Sequence, residues 1–226
     1  LSYPLPPRTI LMGLIAALLG FERDAYYEEL GSDRARIGVG LRTPLRTVMQ
    51  TVNYLFTKNA GWDGSQGHTQ IPVELILPRP PNRLVRYRVY FAHVNSKEVL
   101  KLHDRLMRGE YRYPMYLGIT ECPAWAENPR LYKPEEVTWL EDPDEPLPLG
   151  TAVPVSRVAE LPPLKRLMGC RLLRDRMPFD FTPDRKLRAV ADVLWEAEGR
   201  PLPLRVRGEA FCASAEGGVW GVFLEL

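Results

Sequence analysis

The sequence has few of the residues that build metal centres and disulfide frameworks. Its three cysteines, Cys122, Cys170 and Cys212, lie far apart and include no C-x-x-C pair, so neither a zinc site nor a disulfide is indicated. The chain also lacks a G-x-x-x-x-G-K-S/T phosphate loop, a G-x-S-x-G elbow and an H-E-x-x-H zinc motif. We therefore expect reduced thiols, no metal and no cofactor.

Long hydrophobic runs are absent as well. The most apolar stretch, Ile10 to Leu19, is shorter than the about 20 residues that cross a bilayer. No A-x-A-like cleavage site follows it, so a signal peptide is not indicated. We expect a cytoplasmic protein without membrane contact.

A global excess of positive charge is missing too. The 30 Lys and Arg residues nearly balance the 28 Asp and Glu residues, which gives a net charge of +2. Any affinity for nucleic acid must therefore come from local clusters of basic residues. Three such clusters are present: Arg34, Arg36, Arg42 and Arg46; Arg83, Arg86 and Arg88; Lys165, Arg166, Arg171, Arg174 and Arg176.

The first predicted helix begins after Pro6 and Pro7. Proline suits this position because its missing N–H would have no intrahelical partner, and the free N–H groups of a first turn can hold a phosphate. Arg8 and Thr9 lie at that end. Gly13 lowers helix propensity by about 1 kcal/mol relative to alanine, which indicates close packing against another backbone or a bound chain. The alternative is an ordinary buried core helix.

A short second helix is predicted from Asp24 to Leu30, ending at Gly31, and a strand follows. In that strand apolar residues alternate with two glycines and an arginine. Its glycine-rich, basic face is either that of an ordinary edge strand or a surface across which a ligand backbone can lie. The residues are Ile37, Gly38, Val39, Gly40, Leu41 and Arg42.

Residues 57–70 are rich in glycine and predict a long loop or hairpin tip. Within it, Lys58 suits contact with a phosphate and Trp62 suits stacking on a base, although a tryptophan packed against the core is equally common. The next strand runs from Val85 to Phe91 and carries Arg86 and Arg88 on one face.

A capped helix follows that strand, from Asn95 to a stop at Gly109, and then a strand is predicted from Met115 to Thr120. The order helix, strand, long loop, strand, helix, strand matches the ferredoxin-like β-α-β-β-α-β order without its first strand. The sequence begins at Leu1 rather than at methionine, and we expect the first strand to precede it. The predicted class is α+β, with a ferredoxin-like domain over residues 1–122.

Residues 123–226 are predicted to form a small β-rich region. It opens with a proline-rich, acidic loop over 123–150. Residues 182–198 fit either a helix or the first arm of a hairpin that turns at Gly199, and we favour the hairpin. Three short strands, Leu202–Arg207, Glu209–Ser214 and Val219–Leu226, complete the region, with a turn at 215–218.

Three segments resemble the Cas-five family of type I CRISPR effector complexes, members of the RAMP superfamily. They are residues 3–20 (YPLPPRTILMGLIAALLG), residues 68–75 (HTQIPVEL) before the strand at 86–90 (RYRVY), and residues 113–118 (YPMYLG). Together they span about the first 120 residues in the family's order. The overall composition is most similar to the subtype I-B branch.

The resemblance implies a RAMP domain similar to an RNA-recognition motif. It implies a non-catalytic subunit of the Cascade surveillance complex that caps the 5′ handle of the CRISPR RNA. Its implied partners are that RNA, a Cas-seven-type backbone subunit, the large subunit and, through the complex, target DNA.

The residue types themselves favour contacts to an RNA backbone. Arginine and helix N-termini contact phosphates, and exposed aromatics stack on unpaired bases. For each arginine the alternative is a solvated surface charge. The predicted RNA-binding residues are Arg8, Thr9, Arg42, Arg46, Lys58, Trp62, Arg86 and Arg88.

Two other functions remain open. One branch of the resembling family is a metal-independent endoribonuclease that uses tyrosine, lysine and histidine near the 2′-hydroxyl. Here His68 follows a glycine rather than that branch's lysine, and the other histidines are His93, at a strand end, and His103, in a helix. The third function is a protein-interaction scaffold without RNA contact.

Overall fold

The computed structural model describes residues 2–56 and 62–225, in which two α-helices and twelve strands form an α+β fold. All strand pairings between these named strands are antiparallel. The elements are α1 (Arg8–Leu19), β1 (Ala35–Leu41), β2 (Leu45–Leu55), β3 (His68–Pro78), β4 (Tyr87–His93), α2 (Ser96–Arg108), β5 (Val137–Glu141), β6 (Leu147–Leu149), β7 (Val153–Pro154), β8 (Val158–Glu160), β9 (Leu172–Phe181), β10 (Leu187–Glu196), β11 (Leu202–Val206) and β12 (Glu209–Ala213).

Helix α1 starts where the prolines predict. Pro7 is its N-cap, and Gly20 ends it in the left-handed region, with φ at 78°. The close neighbour of Gly13 is a side chain, since an added Cβ would lie 3.3 Å from the Tyr26 hydroxyl. Within the described residues the close neighbour of Gly13 is thus a side chain rather than another backbone, which corrects that part of the expectation.

The strands β1 and β4 pair over seven residues, from Ala35 opposite His93 to Leu41 opposite Tyr87. The other edge of β1 is also occupied. The backbone N–H of Ala152 donates to the Val39 carbonyl at 2.7 Å, and that of Leu224 donates to the Ile37 carbonyl at 2.8 Å. Segments of the C-terminal half thus lie directly beside β1.

The glycine face of β1 does admit a closely approaching backbone, and that backbone belongs to the same chain. A Cβ added to Gly40 would lie 2.0 Å from the Gly150 carbonyl oxygen, and one added to Gly38 would lie 3.1 Å from the carbonyl oxygen of Val222. The two glycines are needed because the C-terminal half packs over this face.

Strands β2 and β3, of eleven residues each, form a hairpin between β1 and β4 in the chain. Its ladder runs without a register shift from Leu45 opposite Pro78 to Leu55 opposite His68. At about 3.4 Å per residue each strand spans about 37 Å. We call this hairpin the arm. Of the predicted loop at 57–70, residues 62–67 lie at the tip of the arm and β3 already begins at His68, while residues 57–61 lie outside the described residues.

Helix α2 confirms the predicted cap and stop. The Asn95 side chain accepts from the backbone N–H of Lys97 at 3.2 Å, and Gly109 adopts a positive φ after the last turn. The amphipathic helix buries Leu102 against the core beside α1 and β4.

Three sequence-based elements are wrong. Residues 24–30 form turns rather than a helix, since Asp24 adopts a positive φ of 64°. Residues 115–120 form no strand and make one bridge, between Tyr116 and Pro123, because the chain reverses at Gly118. Residues 219–226 were expected to form a strand, but over the described part of that segment only single bridges, at Trp220 and Gly221, are present.

The C-terminal half is built from three small sheets. Strand β10 pairs with β7 and β9, β11 pairs with β6 and β8, and β12 pairs with β5. Residues 182–198 contain a strand, β10, as favoured over a helix, but β10 is the second arm of a hairpin with β9 rather than the first arm of one. Strands β11 and β12 match two predicted strands. The region 123–150, expected to be loop, contains β5 and β6 because its proline-rich stretches alternate with strand-forming residues.

The larger hydrophobic core draws on both halves of the chain. Leu5 and the inner face of α1 pack with Phe179, Trp195 and Leu224. A smaller cluster lies among β6, β7 and β11. Within the described residues, no helix is long and apolar enough to cross a membrane.

Candidate nucleic-acid interface

The arm presents an apolar face that neither hydrophobic core includes. Because side chains alternate across the ladder, one face of the arm collects aliphatic and aromatic residues from both strands. Its apolar members are half-buried or exposed, and Tyr54 and Ile71 are about two-fifths exposed. The apolar face consists of Val48, Val52, Tyr54, Ile71, Val73, Leu75 and Leu77.

A two-stranded ribbon of this kind is marginally stable by itself in water. A partly exposed apolar face on such a ribbon, outside both hydrophobic cores, is typical of a surface that a partner covers. Sequence reasoning missed these residues, although Ile71, Val73, Leu75 and Leu77 carry a clear period of two.

Both ends of the arm carry predicted RNA contacts. Arg46 is exposed at the base, on the same face as Val48, and forms no ion pair with any described residue. Trp62 lies at the tip with 73% of its surface exposed. The tip is shaped by Gly64 and Gly67, both at positive φ. Lys58 lies outside the described residues.

The arginines Arg42 and Arg88 lie on one face of the β1–β4 pair and share one carboxylate. Arg42 Nη2 donates to Glu216 Oε2 at 2.6 Å, and Arg88 Nη1 donates to Glu216 Oε1. The Glu216 side chain is 7% exposed, whereas that of Arg88 is 45% exposed. Burial raises the pKa of the nearby Tyr90 hydroxyl to about 12, and the negative charge of Glu216 adds to that shift.

Arg86 lies on the same face, two residues before Arg88. Its Nε atom is 3.6 Å from Glu127 Oε2, and both side chains are about half exposed. An ion pair this exposed contributes little to stability, about 0–1 kcal/mol. Arg86 is thus accessible to a ligand.

Arg8 and Thr9 do not face solvent, which corrects their expected role at a phosphate site. Arg8 is 1% exposed, and its guanidinium donates to the carbonyls of Leu30 at 3.1 Å and Ala35 at 2.7 Å. It lies 3.7 Å from the Asp180 carboxylate and over the Phe179 ring. Thr9 is buried as well.

Burial has a direct electrostatic consequence for Arg8. It lowers the pKa of the guanidinium, and the Asp180 carboxylate opposes that shift. The first turn of α1 lies inside the protein together with Leu5, Pro6 and Pro7, which are also buried. This helix start is therefore a structural junction between the two halves of the chain.

The three histidines lie apart from one another in the fold. The His93 ring is fully buried, where its Nδ1 accepts from the Asn95 backbone N–H at 3.0 Å and its Nε2 lies 2.9 Å from the Glu29 carbonyl. His103 is half-buried on α2, and His68 is exposed at the start of β3. His68 is the histidine open to a substrate on the arm.

No protein-family model matches the chain, and no curated protein matches it significantly. The likeness to the Cas-five family therefore rests on the sequence segments given above.

Proposed function

We propose that this chain is a non-catalytic, RNA-binding subunit of a type I CRISPR surveillance complex. In this role it holds the 5′ handle of the CRISPR RNA and contacts a backbone subunit and the large subunit. The observation that carries the proposal is the arm, whose partly exposed apolar face lies between an exposed arginine, Arg46, and an exposed tryptophan, Trp62. Apolar area suits a protein partner, and the two flanking side chains suit phosphate and base.

A ferredoxin-like arrangement of the N-terminal half is part of the proposal. Strands β1 and β4 are antiparallel neighbours, β4 runs directly into α2, and α1 packs beside α2. In β4, alternate residues from Arg86 to Val94 bond β1, so the N–H and C=O groups of the residues between them point to the opposite edge. Within residues 2–56 and 62–225 no backbone bonds to that edge, where the ferredoxin-like order has its first strand.

The RNA contact is tested by replacing the exposed tryptophan of the tip. Base stacking on an aromatic side chain contributes about 1–3 kcal/mol, so Trp62→Ala should weaken binding of a fluorescently labelled repeat-derived RNA by about 5- to 150-fold. Trp125→Ala is the matched control, because Trp125 is also exposed but lies outside the arm. Equal effects of the two variants would remove the arm tip from the RNA-binding surface.

The non-catalytic role is tested with the same RNA in the presence of a chelator. We expect no cleavage after prolonged incubation. Site-specific cleavage that disappears in His68→Ala would show a nuclease instead. Absence of any salt-dependent RNA affinity, with the partner subunits present, would favour the scaffold.

A further inference from the structure

The carboxylate of Glu216 occupies a position that an RNA phosphate would fit. Two guanidinium groups from neighbouring strands converge on its two oxygens, one on each. Carboxylate and phosphate are the two anions that arginine binds through paired N–H donors. The arrangement carries two positive charges against one negative charge, so the cluster keeps a positive excess.

The segment that supplies Glu216 is a short turn rather than part of a strand. Residues Ser214–Glu216 form a single 3-10 turn after β12. Gly217 and Gly218 follow at φ values of 60° and 83°, and a Cβ added to either would meet nothing within 4 Å. Glycine restricts the backbone less than any other residue, so Gly217 and Gly218 are the positions at which this turn can most readily pivot.

The two arginines are held differently from Glu216. Arg42 follows β1 directly and Arg88 lies within β4, so both backbones are fixed by the ladder. Arg88 retains a side chain that is nearly half exposed although it is paired. The basic half of the cluster is thus rigid and accessible, and the acidic half is carried by the turn.

We propose that Arg42 and Arg88 form a binding site for a phosphodiester group, and that Glu216 fills this site in the RNA-free protein. RNA binding displaces the carboxylate when the turn moves outward at Gly217 and Gly218. The proposal rests on the RNA-binding function proposed above and adds to it a site and a competing internal anion. No bond is made or broken in this exchange.

The central test is the variant Glu216→Gln, measured with a labelled single-stranded repeat RNA over a range of salt concentrations. Two partly exposed ion pairs hold the turn, each by a factor of about 1.5–5, so their loss should tighten binding by roughly 2- to 25-fold. Fuller engagement of the phosphate in this site should steepen the slope of log Kobs against log[salt] by up to about 0.7.

Two controls separate local release from a general change in charge. Glu145→Gln makes the same change of net charge at an exposed site, with no ion pair to a described residue. Glu216→Asp keeps the charge but shortens the side chain by one methylene, and it should also tighten binding. Adding Arg42→Gln and Arg88→Gln to Glu216→Gln should remove the gain.

The outcomes distinguish this site from the wider function. Equal effects of Glu216→Gln and Glu145→Gln, with the wild-type chain binding RNA, would overturn the site and leave RNA binding intact. If neither the wild-type chain nor Glu216→Gln binds RNA, both proposals fail. If Glu216→Gln lowers the melting temperature and Glu216→Asp binds like wild type, the carboxylate is a structural ion-pair partner only.

Discussion

Replacing Arg8 with methionine should destabilise the whole fold. Methionine matches the aliphatic length of arginine but cannot donate to the Leu30 and Ala35 carbonyls, and it leaves Asp180 without the nearby buried cation. Removal of one partner from a buried charged pair costs about 3–5 kcal/mol. For a domain of this size, that lowers the melting temperature by roughly 6–20 °C.

Thermal and urea unfolding followed by circular dichroism measure this loss. Arg46→Met is the matched control, because Arg46 is exposed on the arm and should leave the melting temperature unchanged. The double variant Arg8→Met with Asp180→Asn should lose less stability than the sum of the single variants, since the two side chains share one buried network.

A specific result would refute the structural role of Arg8. If Arg8→Met melts like the wild-type protein but loses RNA affinity, the guanidinium acts at the RNA surface. That would restore the role expected from its place after Pro7. If Arg8→Met is less stable but its folded molecules bind RNA as tightly as the wild-type protein does, Arg8 is a buried structural residue.

Three further changes test the packing and the electrostatics. Gly13→Leu should lower the melting temperature by displacing the Tyr26 hydroxyl, whereas Gly13→Ala should change stability by no more than about 1 kcal/mol. Gly40→Ala should cost about 3 kcal/mol or more in urea unfolding, because its Cβ would overlap the backbone carbonyl of Gly150. Burial alone would raise the pKa of the Glu196 carboxyl, but three backbone N–H groups that donate to it hold that pKa below its ordinary value. The stability that this lowered pKa contributes is present above the pKa of Glu196 in the unfolded chain and is lost as pH falls through its pKa in the folded protein. The unfolding free energy should therefore drop below pH 4.5, and Glu196→Gln should flatten that drop.

Local signals predicted the elements whose ends are fixed by local chemistry. Pro7 and Gly20 bound α1, and Asn95 and Gly109 bound α2, at the positions that capping rules give. The alternation around Val89 predicted β4 correctly, although no residue of that strand is fully buried and Val89 is 39% exposed.

Elements and roles that depend on distant residues could not be predicted in the same way. The burial of Arg8 is set by Phe179 and Asp180, which are remote in sequence. The glycines of β1 were correctly linked to close backbone approach, but their neighbour, Gly150, is identified only by the fold.

The arm illustrates a different difficulty. Its apolar face belongs to neither hydrophobic core of the described residues, so the pattern of Val73, Leu75 and Leu77 indicates a strand without indicating what the strand packs against. The ion pairs of Glu216 likewise join side chains far apart in the sequence. The sequence therefore predicted the two arginines as binding residues but not the Glu216 carboxylate that lies between them.

The most direct test of the proposed function is to purify the chain from its native cells with its partners and sequence the RNA that accompanies it. We predict CRISPR RNAs that share one repeat-derived 5′ handle, and we expect the yield of these RNAs to fall when the chain carries Trp62→Ala. Co-purification of the partners without RNA, or of RNA with no common 5′ sequence, would contradict it.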